Sequence, residues 1–137
     1  MLQESEDLEY LYEQLDIGED TYRDFKFTIN DPQKIAKSIV AFANQKGGSL
    51  FIGVEDNGEI FGCRPKVEYH HFLDILEEYC HPIPEVDFYV FETEDGKDVL
   101  EASVVEGIKK PYAALNKKGD HIIYLRVDDK CKKIGKL

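Results

Sequence analysis

IAKSIVAFANQKGGSLFIGVEDNGEIFG, from Ile35 to Gly62, is the stretch that decides the fold. Ile35, Ile39, Phe42 and Ala43 recur at helical spacing, so its first part is a helix with one apolar face. Asp31-Pro32 just upstream supplies the start: a carboxylate cap, then proline at the first helical position, where a missing N–H costs nothing. Gly47 stands where a left-handed residue ends a helix. Gly48 lets the chain turn at once into an apolar strand, Ser49 to Val54. Asp56-Asn57-Gly58 is a tight-hairpin signal leading into Ile60-Phe61.

Upstream, Leu8, Leu11, Tyr12 and Leu15 form one apolar stripe of a first helix, capped by Ser5 and ended at Gly18. Arg23 to Ile29 alternates as a strand, with Phe25, Phe27 and Ile29 inward and Asp24, Lys26 and Thr28 on a wet face. Downstream, a helix is predicted over Val67 to Cys80, with Phe72, Ile75, Leu76 and Tyr79 inward and Pro82 and Pro84 as stops. Strands follow at Val86 to Phe91, Val99 to Val105 and His121 to Val127. Lys130 to Leu137 has no apolar pattern and reads as a tail, or as the point where a longer chain was cut. The organisation is therefore an acidic N-terminal helix over residues 1–17, one domain over 18–129 and a basic tail over 130–137.

The 137 residues fit one domain, large enough to fold on its own core without a metal or disulfide staple. A 42% hydrophobic content excludes wholesale disorder. No apolar run reaches the roughly 20 residues that span a bilayer, and the acidic N-terminus is the opposite of a signal peptide, so no membrane partner is expected and the default address is cytoplasmic. Cys63, Cys80 and Cys131 are odd in number and widely spaced, which excludes a disulfide framework and a zinc ribbon; His70, His71 and Cys80 would fan around a helix rather than converge on a metal.

The net charge is −11, unevenly spread. Residues 1–20 hold eight acids and no base, whereas residues 107–137 hold nine bases against three acids. That asymmetry marks either a polyanion-binding end on an acidic body or a solvated lysine-rich tail. Gly47-Gly48-Ser49 is not a phosphate cradle: it follows its helix, whereas such a loop must precede one to turn free N–H groups on the anion. With no Gly-Lys-Ser/Thr motif in the chain, ATP is not an expected cofactor.

Three blocks carry a family resemblance: Glu19 to Lys26, Ala41 to Gly58, and Lys110-Pro111-Tyr112 followed by Tyr124 to Val127. Together they resemble the Schlafen AlbA-type domain, a DNA-binding family also labelled divergent AAA, over roughly residues 15–129. The match rests on a Glu separated by four residues from Asp24-Phe25-Lys26, the Ala-Phe-Ala-Asn helix end, the Gly-Gly turn and the hairpin. Asp24 departs from the family's usual Glu, and Glu55-Asp56 from its Asp-Asp. The resemblance implies an α+β fold: a mixed, mostly antiparallel sheet of five to six strands, two main helices packed on it, and the N-terminal helix.

The same resemblance implies two activities. As a binding module, such as part of a transcriptional regulator or a homodimer, the domain would contact DNA or RNA through Lys26, Lys109, Lys110 and Arg126. As a Schlafen-type ribonuclease it would use Glu19, Asp24 and Asp56 as catalytic acids, with Glu19 and Asp24 holding Mg²⁺ or Mn²⁺. The charge of −11 supports a third reading, a protein-interaction domain with no nucleic-acid role. Asn44, Gly47, Gly48 and Gly53 are assigned to the scaffold rather than the chemistry. Under the binding reading the first helix, with Glu9, Glu13 and Asp16 opposite its apolar stripe, is an internal competitor for phosphate.

Overall fold

In a computed structural model, which describes residues 1–137, the elements follow one another as β1 (Leu2–Ser5), α1 (Leu8–Ile17), β2 (Arg23–Lys26), α2 (Pro32–Asn44), β3 (Gly48–Ile52), α3 (Pro65–Tyr79), β4 (Cys80–His81), β5 (Val86–Glu92), β6 (Asp98–Val104), β7 (Ala113–Leu115), β8 (His121–Val127) and β9 (Lys130–Lys136). The fold is α+β with two sheets. The first has the order β1-β5-β6-β3-β2, with β1 parallel to β5, β2 parallel to β3 and the central pairs antiparallel. The second has the order β4-β7-β8-β9 and is antiparallel throughout. No helix is long and apolar enough to cross a membrane.

Both faces of the first sheet are covered. Phe25, Phe51, Phe91 and Val99 point to one side and pack under Leu11 and Leu15 of α1. Their alternating neighbours Leu50, Ile52, Phe88, Leu100, Ala102 and Val104 point to the other side, into a larger core with α2, α3 and the inner face of the second sheet. α2 is wedged between the sheets, and Ala36, Ile39, Val40, Ala41, Phe42 and Ala43 are fully buried or nearly so. The local chemistry of its ends matches the sequence reading. Asp31 accepts a hydrogen bond from the Lys34 amide, and the Gly47 N–H closes on the Phe42 carbonyl at 2.9 Å with φ +86°. Gly48 lies flat on the Phe42 ring, where a Cβ would stand 2.3 Å from the nearest ring carbon.

The structure corrects several expectations. The strands divide between two sheets rather than forming one of five or six, because α2 occupies the space between β3 and β8; alternation fixes the face a strand buries, not the strand beside it. Residues 2–5 are a parallel edge strand, so the N-terminal segment is not all helix, and Asp7 rather than Ser5 caps α1 by accepting from the Tyr10 amide. β2 ends at Lys26, and Phe27 bends out to 44% exposure. The hairpin after β3 is held by one bridge, Val54 to Ile60, and its turn by the Gly58 N–H donating to the Glu55 carbonyl. Residues 130–136 are not a tail but β9, paired along β8; only Cys131 and Gly135 are half-buried, so the strand carries no apolar alternation to read.

Gly48→Ala is expected to lower stability by about 1–3 kcal/mol, the usual cost of overpacking a core with no room to relax. Urea unfolding against Gly135→Ala, also outside positive φ but with a Cβ 3.7 Å from its nearest neighbour, isolates that clash.

Candidate functional site

β8 alternates Ile122, Tyr124 and Arg126 inward, and so drives a guanidinium into the seam between the sheets, where Arg126 is 3% exposed. Its Nε donates to the Asp20 carbonyl and one Nη to the Arg23 carbonyl, both at 3.0 Å. The same Nη lies 3.6 Å from the Asp24 carboxylate, and the guanidinium carbon sits 5.3 Å from the Phe42 ring centre. Asp24 is buried too. It accepts from Ser38 Oγ at 2.8 Å and pairs with Lys26 Nζ at 3.3 Å. Asp24 is therefore not on a wet face, as the alternation suggested: its face of β2 looks onto α2 and β8.

The end of α2 is clipped to the same strand. The Gln45 side chain both accepts from the Arg126 amide and donates to the Arg126 carbonyl. The Asn44 amide donates to the carbonyls of Tyr112 and Tyr124 at 2.9 Å and accepts from the Tyr112 amide at 2.7 Å. Gln45 and Ser38 were not among the expected site residues; their polar side chains on an apolar helix were the available signal. Gly53 has φ +93° and no room for a Cβ, which would meet the Gly62 carbonyl carbon at 2.9 Å.

Beside this seam, between α2 and the second sheet, lies a groove of about 860 Å³. It brings together Glu19, Asp24, Asp56, Lys26 and Arg126 of the expected residues and adds Lys34, Lys37, Lys117, Lys118 and Lys130. Seven cationic side chains line it against five carboxylates, in a chain of net charge −11. Lys37 Nζ lies 5.4 Å from the Tyr124 ring centre. Lys109 and Lys110 do not line the groove: they are on the exposed 106–111 segment, where Lys110 pairs with Glu106 at 2.8 Å and holds that carboxyl below its ordinary range. The acidic α1 contributes nothing to the lining and packs on the opposite face of the first sheet, so it does not cover these cations.

The three acids do not fit a divalent cation. Asp24 already faces two cationic groups at 3.3 and 3.6 Å, and Ser38 occupies its second oxygen. A metal ion there would meet both positive charges at close range. No three His, Cys, Asp or Glu side chains are clustered so as to hold one. Glu19 accepts from the Phe25 amide at 3.0 Å, and its carboxyl is raised above the ordinary range chiefly by burial and next by the Asp24 and Asp56 carboxylates. The cysteines are free, and burial pushes the Cys63 and Cys80 thiols up to about 12, which makes them poor thiolates.

A second raised carboxyl lies on the far side of the first sheet. Burial raises Glu101, whose oxygen accepts from Tyr10 Oη at 2.7 Å and Ser49 Oγ at 2.6 Å, tying α1 to β6 and β3.

Arg126→Met is expected to destabilise the fold by about 3–5 kcal/mol, because it removes one of the two cations facing the buried Asp24 carboxylate and the donors to the Asp20 and Arg23 carbonyls; the double change Asp24→Leu with Arg126→Met should lose less than the sum of the two single changes in the same urea titration. Glu101 holds its proton to higher pH folded than unfolded, so its contribution to stability is lost as pH rises from about 4.3 through the raised value. Glu101→Gln keeps an acceptor for both hydroxyls, and unfolding midpoints measured from pH 4 to 8 should be flatter than those of the wild type.

The sequence profile of the family described as Schlafen, AlbA_2 matches residues 19–135, which includes every groove residue. No curated protein matches the chain significantly. Among solved structures, the N-terminal domain of a RecG-related protein from Nitrosomonas europaea superposes with a TM-score of 0.63 at 19% identity, over 79% of this chain and 80% of that one. The DIP2311 protein from Corynebacterium diphtheriae gives 0.54 at 20% identity, over 83% of this chain but 22% of that one. At such identities the likeness is one of fold. The family match, spanning β2 to β9 with the groove between, makes this chain a member of the Schlafen AlbA_2 family.

Proposed function

We propose that the domain binds nucleic acid, with the groove between α2 and the second sheet receiving the phosphate backbone. The carrying observation is the concentration there of five lysines, Lys34, Lys37, Lys117, Lys118 and Lys130, beyond the Lys26 and Arg126 already spent on Asp24, in an otherwise acidic protein. Phosphate contacts dominate nucleic-acid affinity, so an acidic chain that binds must gather its positive charge locally. Asp24 subtracts little from the groove's field, since Lys26 and Arg126 already neutralise it.

The contributions differ by residue. Lys34 and Lys37 come from α2, Lys117 and Lys118 from the turn between β7 and β8, and Lys130 from β9; these exposed or half-exposed ammonium groups are the phosphate contacts. Arg126 is a positioning residue, because its guanidinium is spent on two carbonyls and a carboxylate inside the protein. The RecG-related neighbour, whose name places it with ATP-dependent DNA helicases, supports a nucleic-acid setting for the fold. The engaged state of Asp24 supports binding, as in a regulator that contacts DNA or RNA, over metal-dependent cleavage.

Affinity for a labelled 20-nucleotide strand, measured across a salt series, tests the proposal. The log–log slope should be clearly negative, and Lys34→Gln with Lys37→Gln should reduce its magnitude by roughly one per lysine removed. Lys109→Gln with Lys110→Gln should leave it unchanged. Absence of binding at low salt would sink the reading.

A further inference from the structure

Where the groove leaves α2, its floor runs on to a pair of exposed phenylalanines. A second hollow shares Lys26, Lys34 and Asp56 with the groove and has Phe27 at its far wall. Phe27 in turn borders a third hollow with Phe61, Arg64 and Lys97. Phe27 and Phe61 are 44% and 57% exposed as residues, with ring centres 4.2 Å apart and planes tilted by 45°. Core burial does not explain them: the rest of β2 and its partner strand place Phe25 and Phe51 fully inside.

Their backbone is pinned. The Lys26 carbonyl accepts from the amides of Gly53 and Val54 at 2.8 and 3.2 Å. The Phe61 N–H donates to the Gly53 carbonyl at 2.8 Å, and Gly53 presses on Gly62 too closely for any side chain. Two neighbouring carboxylates are engaged within the protein: Asp31 caps α2, and Glu68 accepts from Thr28 Oγ1 and the Ile29 amide. An exposed aromatic pair on a rigid mount, with ammonium groups on one side and a guanidinium on the other, combines the two elements that hold unpaired nucleotides: a π-face for a base and cations for the flanking phosphates.

We infer that the ligand is single-stranded nucleic acid, with a base stacked on the Phe27–Phe61 pair and its backbone running past Lys34 into the groove. This rests on the groove reading above and adds the strandedness of the ligand. A duplex keeps its bases stacked on one another and offers the pair nothing.

Two oligomers of equal length and charge provide the test: oligothymidylate, and an abasic deoxyribose-phosphate chain. Phe27→Leu and Phe61→Leu, which keep apolar bulk and lose the π-face, should each weaken oligothymidylate about tenfold while leaving abasic-chain affinity and both salt slopes unchanged. Because the chain has no tryptophan, Phe61→Trp creates a single reporter, whose emission oligothymidylate should quench and the abasic chain should not. Leucine variants that bind oligothymidylate like the wild type, or lose both oligomers alike, would overturn the stacking inference and leave the groove in place. A wild type that binds neither oligomer at low salt would remove the groove reading, and this inference with it.

Discussion

The guanidinium of Arg126 is the point on which the two sheets are joined. It enters from β8, satisfies the carbonyls of Asp20 and Arg23 ahead of and within β2, and stands over Phe42 of the helix between them. Burying a charge is costly unless it is paired and hydrogen-bonded, and Asp24, Lys26 and Ser38 complete that set. A small domain that divides its strands between two sheets needs contacts tolerating no other register. A planar fork with fixed donors supplies them where apolar packing alone would let the sheets slide. Asn44 and Gln45 repeat the logic at the end of α2, tying its last turn to Tyr112, Tyr124 and Arg126.

Much of this was legible in the sequence, and what was not has identifiable causes. Helix α2, its proline start and its glycine stop are local features, and local chemistry predicts them. The Asp24 environment is not local. Alternation correctly separated Asp24 from Phe25, but only the three-dimensional structure shows that both faces of β2 are covered, one by α1 and the other by α2 and β8. The family resemblance implied that Arg126 meets a ligand; its partners are backbone carbonyls 103 and 106 residues distant, which no spacing rule detects.

The candidate site shows the same division. Glu19, Asp24, Asp56, Lys26 and Arg126 do converge on one groove, so the residues that the family motif singles out are neighbours in the fold. Which of those charges are already spent inside the protein is decided by packing. Lys34 and Lys37, three apart on one helix face, and Lys117 with Lys118 on a turn read from sequence as ordinary solvated lysines, and only the packing of β7 and β8 beside α2 brings them together. Lys109 and Lys110 are equally basic by count, yet they lie on a different segment, where Lys110 pairs with Glu106.

β9 ends the second sheet, and one of its sides has no strand beside it. An unpaired edge is an open template for another chain's backbone. Here the edge carries Lys130, Lys132, Lys133 and Lys136, so a second copy approaching in register would bring like charges face to face. The stretch that seems featureless by hydropathy thus places charge along the open edge of the sheet, where an apolar strand would invite pairing.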